Sequence, residues 1–164
     1  MSQPANQQPQ LIQPNNSLRM KIGGSALKGL DMKAIEKAEA ALQQLSGQFG
    51  AWLQEELTKL DLAHTRIKAE GLSGDAGTEF YLRAHDIKGL GSTYEYPSVT
   101  RIAGTLCKLL DDEEKRAKAP MVLVDAHVNA IKACVRDQMK ELNHPIAQAL
   151  AVEMETQVLA FLGK

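Results

Sequence analysis

The sequence predicts an all-α protein: an up-and-down four-helix bundle preceded by a long N-terminal helix. Five successive stretches repeat apolar residues at spacings of three and four, and none alternates in the period of a half-buried strand. The connections between them are short, and one Trp, three Tyr and three Phe in 164 residues leave little of the aromatic content that strands favour. An apolar fraction of 44% suits a single globular domain.

The charges exclude some partners. Lys and Arg number 19 against 20 Asp and Glu, so no bulk field draws the chain to nucleic acid or to an anionic membrane. Neither kind of partner is expected. Cys107 and Cys134 form neither a CxxC pair nor a disulfide framework and read as small buried hydrophobes in a reducing compartment. The N-terminus lacks a basic start and an apolar signal core, and no run approaches 18 apolar residues, so the expected location is cytoplasmic.

Residues 1–30 read as a disordered or extended tail. Their Gln, Asn and Pro content cannot bury enough surface to offset ordering entropy, and the stretch Ser17 to Ser25 is interrupted by glycines. Residues 31–70 lack proline and carry Ile35, Ala38, Leu42, Leu45, Phe49 and Trp52 on one stripe, which continues displaced by one position through Leu53, Leu57, Leu60, His64 and Ile67. At about 1.5 Å per residue, roughly 38 residues would span about 57 Å. A helix of that length is expected to pack on the bundle or project from it, and to offer a surface for a homodimer; two helices broken near Ser46-Gly47 are the alternative.

The bundle proper is assigned to 71–164. Gly71-Leu-Ser-Gly-Asp-Ala-Gly77 is a loop, and Thr78 is the expected cap of the next helix, with Glu79 in its first turn. That helix places Phe80, Ala84, Ile87 and Gly91 toward the core and His85 just off the stripe, on a face with Tyr81, Lys88, Gly89 and Ser92. Pro97 opens a third helix, from Ser98 to about Glu113, with Val99, Ile102, Ala103, Leu106, Leu109 and Leu110 inward. The run Asp111-Asp-Glu-Glu-Lys-Arg-Ala-Lys118 reads as a solvated helix end and loop. Pro120 restarts the chain into a helix reaching about Leu142, and Asn143-His144-Pro145 separates it from a last helix, Ile146 to about Leu162. His127 and Cys134 can share a face, but two ligands without a third do not make a metal site.

The chemistry concentrates at His85. The sequence holds no Ser elbow, HExxH or P-loop to give a histidine a catalytic partner. What remains is an imidazole that is itself the nucleophile, attacking a phosphoryl group and holding it as a phosphoramidate. Such a group brings about two negative charges; Lys88, one turn away, would stabilise them, and Gly89 leaves the approach clear. A mid-helix glycine costs about 1 kcal/mol relative to alanine, which suggests a function.

His85-Asp-Ile-Lys88-Gly89 resembles the H-x-x-K-G signature of the histidine-containing phosphotransfer (HPt) domain of bacterial two-component phosphorelays. The resemblance covers about Thr78 to Leu162 and extends through Ala84-His-Asp-Ile-Lys-Gly-Leu-Gly-Ser-Thr-Tyr-Glu-Tyr-Pro97, which is similar to a bacterial branch of that family. It implies a four-helix bundle of HPt type. By the same resemblance His85 accepts phosphate from the aspartate of a receiver domain, belonging to a hybrid histidine kinase or a response regulator, and passes it to another receiver. Lys88 then contacts the phosphoryl group and Gly89 makes room for the receiver, with Tyr81 or Leu90 as apolar contacts. The chain would be a carrier and not a complete enzyme. It would hold no cofactor of its own, the magnesium ion being expected on the receiver.

The chain departs from the family pattern at Glu95, where a second glycine usually stands ten residues after the histidine. This places the packing at the helix end in question, and Gly91 is the residue expected to supply a close approach there. Two other readings compete: an adaptor or scaffold bundle that binds receivers without turnover, and the dimerisation domain of a histidine kinase.

Overall fold

The structure is a computed structural model that describes residues 32–163; the tail assigned to 1–30 lies outside the described residues. Those residues form six helices and no strand. They are α1 (Met32–Glu70), α2 (Gly74–Gly91), α3 (Pro97–Leu110), α4 (Glu113–Lys118), α5 (Met121–Arg136) and α6 (Pro145–Leu162). The all-α expectation holds. The chain divides into two compact units, Met1–Leu42 and Gln43–Lys164. In the first, the described residues are helical, with Ile35 half-buried and Leu42 64% exposed.

The second unit is the bundle. Within it α3 packs against α2, α5, α6 and the short α4. Its inward set, Val99, Ile102, Ala103, Leu106, Leu109 and Leu110, is fully buried, as the three- and four-residue spacing requires. From Gln43 onward α1 stays helical through Gly47 and Gly50, so the alternative of a break near Ser46-Gly47 is not realised. The displaced stripe has a physical meaning. Leu53, Leu57, Leu60, His64 and Ile67 are buried in the core, whereas Trp52, on the earlier phase, is 41% exposed.

Polar contacts fix α1 to its neighbours. His64 Nε2 lies 2.6 Å from Asp125 Oδ1 on α5, Lys132 donates to Asp61, and Arg66 Nη1 donates to Glu79 on α2 at 2.7 Å. On α5 His127 is fully buried; its Nδ1–H donates to the Leu123 carbonyl, and burial lowers its pKa below the ordinary imidazole value.

The structure corrects four local readings. Helix α2 starts at Gly74, so the loop shrinks to residues 71–73, and Thr78 is not a cap: its hydroxyl donates to the Gly74 carbonyl inside the helix. The run from Asp111 to Lys118 is exposed except at Arg116, but residues 113–118 form α4 and not a loop. Asp112 accepts from the Lys115 amide at 2.9 Å to cap α4, and Arg116, on that helix, is only 5% exposed. Helix α3 accordingly stops at Leu110 rather than near Glu113.

The fourth correction concerns α5, which ends at Arg136 and not near Leu142. Met139 N–H donates to the Cys134 carbonyl at 2.9 Å and Gln138 N–H to the Val135 carbonyl at 3.2 Å, the paired closure of a Schellman motif. Gln138 takes the left-handed position, φ +50°, that glycine usually fills, and Met139 folds back into the core. Leu142 is exposed beyond it.

Helix α2 closes in the same way. Tyr96 N–H donates to the Gly91 carbonyl at 2.7 Å and Glu95 N–H to the Ser92 carbonyl at 3.2 Å. Glu95, at φ +69°, therefore sits where a glycine is the usual residue. A non-glycine residue in that region costs about 1 kcal/mol, and the exposed Glu95–Lys140 pair at 3.2 Å returns little of it. Replacement Glu95→Gly is expected to raise unfolding free energy by about 0.5–1 kcal/mol in urea denaturation. A loss of stability would contradict this account of the turn. Gly91 makes the expected close approach: a Cβ there would stand 2.6 Å from Thr100 Oγ1 and 2.8 Å from Thr100 N.

Candidate functional site

The site is the outward ridge of α2. Phe80, Ala84, Ile87 and Gly91 anchor the helix in the core, which turns His85 and Gly89 outward. His85 is exposed and makes no hydrogen bond or ion pair among the described residues; its ring centroid lies 6.2 Å from that of Tyr81. Among the described residues no carboxylate orients it. Asp86, its neighbour in sequence, is taken by Arg83 Nη1 at 3.1 Å.

An open groove runs beside the imidazole, lined by Glu56 of α1 and Arg83, His85, Asp86, Gly89 and Leu90 of α2. Glu56 accepts from Lys59 at 2.6 Å. The three residues singled out in the sequence thus lie on two sides of one ridge. His85 and Gly89 line this groove, while Lys88, one turn from His85, lines a second groove between α2 and α3 together with Tyr81. Lys88 has no hydrogen bond or ion pair among the described residues, and its charge is felt at buried Cys107. Burial pushes that thiol up to about 11 against the opposing pull of Lys88.

Nothing among the described residues requires a glycine at position 89. It lies inside α2 with no left-handed φ, and a Cβ added to it meets nothing within 4 Å. Gly77 and Gly91 differ, since a side chain at either would strike backbone. Replacement Gly89→Ala is therefore expected to stabilise the fold by about 0.5–1 kcal/mol while slowing any reaction that requires a protein partner to approach His85. Thermal unfolding and partner-dependent turnover, measured on the same preparation, check both halves.

An aromatic cluster was not visible in the sequence. Phe49 and Trp52 of α1 meet Tyr94, in the turn after α2, with ring centroids 5.4 and 6.5 Å from it. The stripe spacing marks Phe49 and Trp52 as helical, but only the fold shows that they border Tyr94 and stay partly exposed. Among the described residues no three His, Cys, Asp or Glu side chains converge as a metal site, and no helix is long and apolar enough to cross a membrane.

The fold and site together define an all-α bundle that displays one unengaged histidine on a helix ridge. Compared with family models, with curated proteins and with solved structures, the chain gives no match in any of the three.

Proposed function

We propose that the chain is a histidine phosphotransfer protein of a two-component phosphorelay, built on an HPt-type bundle. His85 accepts a phosphoryl group from a receiver-domain aspartate and passes it to another receiver. In the first step an imidazole nitrogen bonds to phosphorus as the P–O bond of the aspartyl phosphate breaks, and the aspartate leaves as carboxylate. In the second step the N–P bond breaks and a receiver carboxylate takes the group. Any magnesium ion that the transfer needs is carried by the receiver, so the chain is a carrier that depends on its partner.

The observation that carries this reading is the pairing of an exposed, unbonded His85 with Gly89 one turn away, a helix-interior glycine with open space over its Cα. Its cost of about 1 kcal/mol serves no contact among the described residues, and a docking partner explains it. Lys88, also unengaged, is long enough to swing toward a phosphoryl group and offset its charge. Leu90 and the partly exposed cluster of Trp52, Phe49 and Tyr94 give a docking protein apolar surface close to the His85 groove.

The test is incubation with a phosphorylated receiver domain carrying labelled phosphate. Label that moves to this chain and is lost in acid but kept in alkali supports the reading. A chain that binds the receiver and takes no label is an adaptor instead.

A further inference from the structure

The second groove, between α2 and α3, carries a signature of its own. Its lining includes Gly104, inside α3, and a Cβ added there meets nothing within 4 Å. Gly104 thus shares with Gly89, and with Gly47 and Gly50 of α1, a helical position where an added Cβ meets none of the described residues, at a cost of about 1 kcal/mol relative to alanine. One such glycine lies on each side of the His85 ridge.

The charges of the two grooves differ. Beside His85, Arg83 is paired with Asp86 and Glu56 with Lys59. In the second groove Arg101 is held by Glu155 through two bonds of 2.6 Å and by Gln148 through a third, so that pair is internally satisfied. Lys88 and Lys108 have no hydrogen bond or ion pair among the described residues; of the two lining carboxylates, Glu155 is bonded to Arg101 and also feels the charge of Lys108, and Asp111 has no hydrogen bond or ion pair among the described residues. Lys88, Arg101 and Lys108 against Asp111 and Glu155 leave the lining one positive charge in excess, beside a glycine at which an added Cβ meets nothing within 4 Å.

We infer that this groove receives an acidic side chain of the receiver, held at Lys108 and seated over Gly104, so that the receiver straddles the His85 ridge. The inference rests on the phosphotransfer reading and adds a specificity-determining residue to it. Complementary surface charges act chiefly on the rate of encounter and are screened by salt, and both effects are measurable.

The experiment compares two phosphoryl donors on the full-length protein. One is potassium phosphoramidate, small enough to reach His85 without docking. The other is the phosphorylated receiver domain, among those encoded in the source genome, that labels the wild type fastest. Lys108→Glu is expected to slow receiver-driven labelling about tenfold relative to phosphoramidate-driven labelling of the same variant, and to flatten its salt dependence. Gly104→Leu, which fills open space and keeps the helix, is expected to lower the same ratio at all salt concentrations. If both variants keep the wild-type ratio, the inference is overturned. If the wild type takes no label on His85 from either donor, the phosphotransfer reading fails, and this inference with it.

Discussion

Substitution of His85 by glutamine is expected to reduce phosphoryl acceptance to background while leaving the fold intact. Glutamine matches the reach and polarity of the imidazole but offers no nucleophilic nitrogen. The exposed His85 has no hydrogen bond to lose, and glutamine is at least as good a helix former, so unfolding free energy should change by less than about 0.5 kcal/mol. Parallel urea curves and labelled-phosphate uptake separate the two effects. Persistent uptake by a folded His85→Gln protein would move the acceptor elsewhere.

Arg116→Met is expected to be the most destabilising single change in the polar framework. The buried guanidinium donates to the Leu72 carbonyl at 3.2 Å, the Leu110 carbonyl at 3.1 Å and the Thr78 hydroxyl at 3.2 Å, joining the start of α2 to the end of α3. No carboxylate forms an ion pair with it among the described residues, and its charge meets the negative end of the α3 dipole at Leu110. Gly77 is part of the same device, since a Cβ there would stand 1.8 Å from the Leu72 oxygen and 3.1 Å from Arg116 Nε. Methionine keeps the apolar stem but strands the acceptors, a loss of about 2–3 kcal/mol and of about 10 °C in Tm. A fall of less than about 1 °C would show that water replaces the guanidinium without penalty.

Periodicity made the long elements legible. The phase displacement between Trp52 and Leu53 separates the exposed part of α1 from its buried part, and the spacing of Phe80, Ala84, Ile87 and Gly91 sets His85 outward. The ends of helices were less legible. Gln138 and Glu95 occupy left-handed turn positions without the glycine that marks them in a sequence, so the end of α5 near Arg136 carried no signal and Glu95 read as a mere departure. Arg116 was hidden for a related reason. In a run of eight residues with seven charges it looks like its neighbours, and only the carbonyls brought in from Leu72 and Leu110 single it out.

The site was partly legible. His85, Lys88 and Gly89 stand within one helical turn, so spacing alone grouped them, but spacing did not reveal that Lys88 faces the α3 groove while His85 and Gly89 line the other. Glu56, Gly104, Lys108 and the cluster of Phe49, Trp52 and Tyr94 come from other elements, and nothing local in the sequence joins them to His85.

The most direct measurement is a phosphorus–proton correlation spectrum of the full-length protein after reaction with phosphoramidate at neutral pH. A single phosphoramidate resonance coupled to the ring protons of His85, and lost on acidification, is the predicted result. A resonance coupled to His64, His127 or His144, an acid-stable ester signal, or no new resonance would contradict the assignment of His85 as the phosphoryl carrier.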